Sequence, residues 1–352
     1  MIFYKAFKMN TELFEECLTH IRNHDKEWLK RKRKINTELI FKSLICGALT
    51  NIGISSCLNG FVSDISHVAM IKARQKLGDN VFKDINSILS GSIHERVFSI
   101  DGSKIRVHDG FRKLGYKTRT NDKKVRRTAK RPIAMLSSLY GVESLTTVNY
   151  TITKHFNERT CVPTLIENLQ KDDIVVMDRG YYSAELFEHF NRSGIHAVFR
   201  LKCYANITVK KFYSSSKTDL HTNLFRNGEI IPIRYVKYFI DNKKYVIGTT
   251  IKDMSTRIIK QLYKLRWGVE TSYKRVKSYQ HINTIYARTH KLWLQEVQLR
   301  ILYDTLLIKT QSCMTIQKRK SCKKIAYGII NLKAFALLLN ISVELIAKFQ
   351  NG

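Results

Sequence analysis

Acidic residues are scarce in this sequence: 29 Asp and Glu face 61 Lys and Arg, which leaves a formal net charge of +32. Proline is scarcer still, at 3 residues, and no uninterrupted apolar run approaches the ~18 residues that a membrane span requires. The opening MIFYKAFKMN has no cationic region followed by an apolar stretch, so neither export nor a membrane partner is expected. The expected setting is intracellular, in the cytoplasm or nucleoid if the source is prokaryotic. The 7 Cys, an odd number, run from Cys17 to Cys322 without a CxxC, which indicates neither a disulfide framework nor a zinc site and suits a reducing compartment.

What is present is enough apolar material to fold. Hydrophobic residues make up 44% and aromatics 11% of the 352 residues, which excludes a disordered polycation and allows one large domain or two to three ordinary ones. The cations are spread over the whole length, which suits a long phosphate backbone better than a membrane surface. An AT-rich genome would also enrich Lys, Ile and Asn and deplete Pro, so charge alone leaves compositional drift open.

From Asn10 to Leu89 the apolar spacing is helical, with stripes Leu13, Phe14, Cys17, Leu18, Ile21 and Leu39, Ile40, Leu44, Leu49 on either side of the basic run Lys30 to Lys34. Ser66 is the expected N-cap of a helix through Leu77 whose exposed side carries Lys72, Arg74 and Lys76. Short helices before a basic one are compatible with a helix-turn-helix, and equally with a small bundle. At residue 93 the texture turns to strands: IHERVFSIDGSKIRV, RPIAMLSSLYGV and ESLTTVNYTITKHF, with a basic loop from Lys104 to Arg131 before the second. A helix (ERTCVPTLIENLQ), a strand (DIVVMD), a helix (SAELFEHFNRSG) and a strand (HAVFRLK) come next, an α/β layout with a mixed sheet. From Tyr204 to Ile251 the segments NITVKKFY, EIIPIRYVKYFI and KKYVIGTTI read as strands of a small inserted sheet, with turn signals at Asn227-Gly228 and Asp241-Asn242. Helical periodicity returns at Ser255 and is interrupted by KRKSCKK at 318–324.

Asp101 and Asp178 each end a buried-looking run and each has a Gly within two residues. A carboxylate held by a buried strand is costly unless a cation meets it, and two such strands side by side would offer paired oxygen ligands to a hard divalent ion. Taken singly, each Asp also fits a plain strand-terminal turn. On the helix from about Ser255 to Gln280, Tyr263, Arg266, Glu270 and Lys277 fall within about a 60° sector, with Ile258, Leu262, Leu265, Val269 and Val276 as a separate core stripe. Arg266 and Glu270 are also spaced as an ordinary surface ion pair. Trp267, at the edge of the same face, is expected to pack in the core.

Tyr263-x2-Arg266-x3-Glu270-x6-Lys277 matches in spacing the YREK motif of DDE transposases of the insertion-sequence-four type. IDGS at 100–103, DRGYYS at 178–183 and FRLK at 199–202 also resemble that family, in the right order, over about residues 93 to 310. The resemblance implies an RNase H-like mixed-sheet catalytic core with an inserted β subdomain, preceded by an all-helical N-terminal domain. The corresponding boundaries are 1–92 for the helical DNA-binding domain, 93–203 and 253–310 for the core, 204–252 for the insertion and 311–352 for a C-terminal helical tail. It also implies that Asp101, Asp178 and Glu270 are a triad holding two Mg²⁺ ions, with Mn²⁺ as a substitute. Tyr263, Arg266 and Lys277 would then lie against DNA phosphates, and Lys72, Arg74 and Lys76 would contact DNA from the N-terminal region. The expected function is metal-dependent cleavage at the ends of an insertion sequence and strand transfer into target DNA. The expected partners are double-stranded DNA, as terminal inverted repeats and target, and a second copy of the chain in a synaptic complex. A catalytically retired DNA-binding descendant and an RNase H-like nuclease remain as alternatives. Some family members form a DNA hairpin and stack a flipped base on an aromatic residue of the insertion, often Trp. Here Trp occurs only at 28, 267 and 293, so Phe212 or Tyr213 is expected in that role, next to a polar SSSKTD stretch that reads as a mobile loop.

Overall fold

The computed structural model describes residues 12–13, 15–23, 34–50, 65–91, 95–118, 131–285 and 287–312. Phe14, most of the basic run at 30–34, much of the basic loop at 104–131 and the tail beyond Ser312 lie outside the described residues. In chain order the elements are α1 (Thr37–Thr50), α2 (His67–Arg74), α3 (Val81–Ser90), β1 (Val97–Arg106), β2 (Ile133–Gly141), β3 (Thr147–Thr153) and α4 (Val162–Ile166). Then come β4 (Ile174–Met177), α5 (Ala184–Ser193), β5 (His196–Leu201), α6 (Ile207–Ser214), β6 (Asp219–Arg226), β7 (Glu229–Ile240) and β8 (Lys243–Thr249). The chain continues through α7 (Thr256–Leu265), α8 (Trp267–Ser278) and α9 (His290–Ser312).

Two compact units divide the chain, and neither is a simple stretch of sequence. The helical unit takes the described residues before Ser90, those between Arg106 and Pro132, and those from Lys274 on. Its core joins Cys17, Leu18, Ile21, Ile40 and Leu44, as the N-terminal stripes require, to Leu299, Leu302, Tyr303 and Leu306 of α9. These N-terminal residues therefore share one core with a helix more than 250 positions on in the sequence. Ser66 caps α2 by accepting a hydrogen bond from the Ala69 N–H at 3.2 Å, as expected, but the helix stops at Arg74.

The second unit, Ser90–Ile105 and Ile133–Tyr273, is built on a single eight-stranded sheet in the order β3-β2-β1-β4-β5-β8-β7-β6. β1, β4 and β5 are parallel neighbours, and β8 runs antiparallel to β5. Alternation along the buried strands sends Phe98, Ile100, Val175, Met177 and Phe199 into one core with α4, α5 and α6. Val176, Val198 and Val236 go to the other face, where Ile259, Leu262 and Tyr263 of α7 cover them.

Three expectations are corrected by the fold. The segment NITVKKFY is a helix: Asn206 accepts from the Val209 N–H at 2.7 Å, and Val209 and Phe212, three apart, form its buried face. The strands after it extend the main sheet through β8 on β5, so they are not a separate small sheet. The polar stretch after Tyr213 is no long loop, because it leads within a few residues into β6, a half-exposed edge strand. The turns at Asn227-Gly228 and Asp241-Asn242 fall where the sequence puts them, with φ of 50° and 79° and of 45° and 60°, the left-handed pair a tight hairpin demands.

Candidate active site

The site is assembled by strand register. Val97 pairs with Ile174 and Ile100 with Met177 on the parallel strands β1 and β4, so Asp101 and Asp178 each stand one residue beyond the last pair. Parallel neighbours lie about 4.8 Å apart, and the period of two directs both acids to the face that α7 covers. β4 ends at Met177, and the Tyr181 N–H bonds back to the Asp178 carbonyl at 3.0 Å to turn the chain.

Helices α7 and α8 bring the other groups. Ser255 caps α7 through the Ile258 N–H. At Arg266 the helix tightens, with the Arg266 N–H bonded to Tyr263 O and the Val269 N–H to Arg266 O, so a single continuous wheel does not hold. The buried face is Ile259, Leu262, Tyr263, Arg266, Val269 and Tyr273, while Ile258 and Leu265, expected in the core, are exposed. Trp267 is likewise outside the core, 64% exposed, with the Arg266 guanidinium 6.0 Å from its ring centre. Gly268 comes next because a Cβ there would lie 2.6 Å from the Tyr140 ring, so only glycine lets α8 approach β2 this closely.

The Tyr263 hydroxyl donates to Asp178 Oδ1 at 3.1 Å. Arg266 donates to Glu270 Oε1 at 2.7 Å and lies 3.6 Å from Asp101 Oδ2, which ties the strand carboxylate to the helix carboxylate through one guanidinium. The Tyr273 hydroxyl donates to the main-chain oxygen of Asp101, with Leu136 O also in reach, and clamps α8 to the middle of β1. Glu158, just before α4, lies over Gly102. Lys277 is in the last turn of α8, in the part of the chain that belongs to the helical unit. Tyr263, Arg266 and the two strand acids thus meet, with Glu270 joined to them through Arg266.

Burial dominates the electrostatics of the site. Burial pushes the Asp101 carboxyl up to about 6; the Gly102 N–H and Arg266 pull it down, while Glu158 and Glu270 raise it as like charges. Burial also raises the Tyr263 phenol, and Asp178 adds to the effect. Arg266 is held above its ordinary value although burial opposes its charge, because Tyr263, Glu270 and Asp178 outweigh that cost. A consequence is measurable without DNA or metal. A carboxyl raised in the fold contributes stability that is intact below the ordinary carboxylate range and lost as pH rises through about 6. Asp101→Asn should therefore stabilise the chelator-treated protein by about 2–3 kcal/mol near pH 8 and by little near pH 4. Urea denaturation at the two pH values checks this; equal effects at both would remove the desolvated Asp101 charge as the cause.

The family profile of the transposase DDE domain matches residues 93–302, more than half of the chain. The chain belongs to the transposase DDE-domain family. Its fold is similar to that of a piggyBac transposase in a cryo-EM synaptic complex with hairpin DNA, with a TM-score of 0.55 at 11% identity, over 98% of this chain and 84% of that one. No curated protein sequence matches the chain. Transposase DDE domains generally use divalent metal ions, and Asp101, Asp178 and Glu270 supply the hard oxygen donors that such ions take. Among the described residues, no three His, Cys, Asp or Glu converge closely enough to hold an ion as they stand. The donor chemistry and the raised Asp101 nonetheless fit a divalent cation. No described helix of this transposase-family chain is long and apolar enough to cross a membrane.

Of the N-terminal cations, Lys72 and Lys76 are exposed. Arg74 is not: 4% exposed, it donates to Glu296 at 2.9 Å and to the Leu292 carbonyl at 3.2 Å inside the helical unit. A local wheel cannot reveal a partner 222 residues away. Phe212 is 2% exposed, packed against Tyr235 with the Lys237 ammonium over its ring, so it is not free to stack on a base. Tyr213 is half-buried beneath Lys244. The exposed aromatic of the site is Trp267, which sequence reasoning assigns to the core; the signal available was its place directly after Arg266.

Proposed function

We propose that the protein is a DDE transposase of the insertion-sequence-four type with an RNase H-like core, cleaving DNA at the ends of a mobile element and joining those ends to target DNA. One observation supports this above the others: the β1–β4 register sets Asp101 beside Asp178 on the face covered by α7, in the helical segment α7–α8 that carries Tyr263, Arg266 and Glu270. The YREK spacing of that helix is the reason for naming the type.

Asp101, Asp178 and Glu270 are the residues that would hold two divalent ions, Mg²⁺ or Mn²⁺. When bound, such ions supply Lewis acidity to the attacking and leaving oxygens of an in-line phosphoryl displacement. The protein's own contribution is electrostatic and positional. Arg266 neutralises a phosphate flanking the reacting bond, since a guanidinium matches a phosphate with two parallel hydrogen bonds, and Lys277 is a further DNA-phosphate contact. Tyr263 orients the Asp178 carboxylate. The exposed Trp267 indole offers a flat apolar surface on which a base can stack. The partners are double-stranded DNA, as inverted repeats and target, and a second copy of the chain that holds the other end.

Incubation of the protein with Mg²⁺ and DNA carrying the element's ends tests the function. Joined products establish a transposase, cleavage alone a nuclease, and binding alone a retired descendant. The DNA flanking the coding sequence, searched for short inverted repeats, supplies the substrate.

Lys72 and Lys76 are proposed as backbone contacts. Changing both to Ala should weaken binding of all DNA sequences alike and reduce the slope of log affinity against log salt by about 2. An unchanged slope in salt titrations would take both residues off the DNA surface.

A further inference from the structure

A tyrosine and an isoleucine are left in water at the end of the strands where Asp178 stands. Tyr204, in the turn after β5, is 69% exposed, and Ile207, the first residue of α6, is 75% exposed. β5 is parallel to β4 and pairs with it up to Met177↔Phe199, so the chain leaves β5 at the same end of the sheet as Asp178. Side chains tie the two segments together there. Asn206 Nδ2 donates at 3.1 Å to the hydroxyl of Tyr182, which follows closely on Asp178, and at 3.2 Å to the Tyr235 hydroxyl.

The exposure does not come from a loosely held helix. The far end of α6 is fixed by buried Lys237, whose ammonium donates to the Phe212 and Ser215 carbonyls, and by Lys244, which donates to the Tyr213 carbonyl at 2.9 Å. Val209 and Phe212 turn inward, and on the opposite side Ile207, Lys210, Lys211 and Ser214 fall within about a 100° sector. Lys202, Lys210 and Lys211 are exposed around the two apolar side chains. From His196 to Thr218 the chain carries Arg200, Lys202, Lys210, Lys211 and Lys217 and no acid. Those three exposed lysines form no ion pair among the described residues, whereas Arg192 of α5 and Arg226 of β6 are both paired with Glu188. A face that is merely solvated intersperses acids with its lysines. Apolar groups ringed by unpaired cations suit a polyanion with an apolar interior, and duplex DNA offers both, with phosphates outside and base steps between them.

We propose that Lys202, Lys210 and Lys211 bind the phosphate backbone of duplex DNA flanking the reacting end, and that Tyr204 and Ile207 enter its groove as an apolar wedge. This rests on the DNA-cleaving function proposed above. It carries the DNA surface past the sheet's end to the second layer, because α6 packs in the core opposite to the one that α7 covers. A wedge of this kind partly unstacks one base step and bends the duplex, and a helix fixed at both ends can deliver it without yielding.

Fluorescence anisotropy of a labelled duplex of arbitrary sequence, titrated with the full-length protein in chelator, tests this without catalysis. Lys210→Ala with Lys211→Ala should lower the slope of log affinity against log salt by about 2. Tyr204→Ala with Ile207→Ala should weaken binding by about tenfold at an unchanged slope. The same pair should erase the unmodified protein's preference for a duplex with one mismatched pair, where a step already opens easily. Both variants should melt with the unmodified protein, because all four side chains are exposed. If both bind as the unmodified protein does while Lys72→Ala with Lys76→Ala lowers the slope, the α6 surface is off the DNA and the proposed function stands. If the unmodified protein binds no duplex, both fall. A mismatch preference that is missing from the unmodified protein, or that survives Tyr204→Ala with Ile207→Ala, removes the wedge. Intact DNA binding with a dimer turned monomer in that variant would make the pair a contact between copies of the chain, and weakened binding with a lowered melting temperature would make it structural; either result overturns the proposal.

Discussion

Cleavage of end DNA should fall by about a thousandfold or more when Asp101 is changed to Asn, Asp178 to Asn, or Glu270 to Gln, with binding of the same DNA largely kept. Each amide preserves shape and most of the local hydrogen bonds. An Asn at 178 still accepts from the Tyr263 hydroxyl, and a Gln at 270 still accepts from Arg266. The loss is of the negative charge that retains a divalent ion. Such an ion is worth several kcal/mol of transition-state stabilisation, and about 4 kcal/mol is three orders of magnitude in rate. Nicking of labelled ends in Mg²⁺, run beside a gel-shift titration, separates the two effects. Near-unmodified nicking by any one variant removes that residue from the triad, and parallel loss of binding would mean that the substitution had damaged the fold.

The largest loss of stability is expected in the helical unit, at Asp304→Ala. Asp304 on α9 accepts two hydrogen bonds from Arg275 Nε, at 3.0 and 3.2 Å, and one from its Nη2 at 2.9 Å. The aspartate side chain is 3% exposed and the arginine 12%. Breaking a buried pair by removing one member costs about 3–5 kcal/mol, whereas an exposed pair is worth about 0–1 kcal/mol. The midpoint of urea unfolding should drop accordingly at an unchanged slope. A change below about 1 kcal/mol would show that water reaches Arg275 once Asp304 is gone.

Particular residues explain how much was legible in the sequence. Asp101 and Asp178 could be picked out because a buried run closing on a carboxylate is an energetic anomaly visible in one line of text. The YREK set was legible as spacing, but the packing of its helix was not. The buried face of α7 centres on Ile259, Leu262, Tyr263 and Arg266, so Ile258 and Leu265 fall on its exposed edge, and Trp267 lies at the tightening itself. The helix at 207–214 was hidden by Ile, Thr and Val, whose β-propensity was overridden by the Asn206 cap and a two-residue buried face. β6 was hidden by a polar, half-exposed pattern that only an edge strand tolerates. Arg74 and Glu158 depend on partners distant in the chain, and no local pattern encodes those.

The extension of the sheet through β8 also bears on how this part of the protein melts. β8 is bonded to β5 from Val198↔Thr249 to Leu201↔Val246, and β5 in turn to β4 beside the site. Residues 219–249 cannot unravel without baring the edge of β5, and β5 cannot part from β4 without breaking the register that ends at Met177↔Phe199, one residue before Asp178. The eight strands should therefore lose their structure in one cooperative transition, in which hairpins at the rim and acids at the centre share a single free energy. A ligand taken up beside Asp101 and Asp178 would, by mass action, protect backbone amides along hairpins that it never touches.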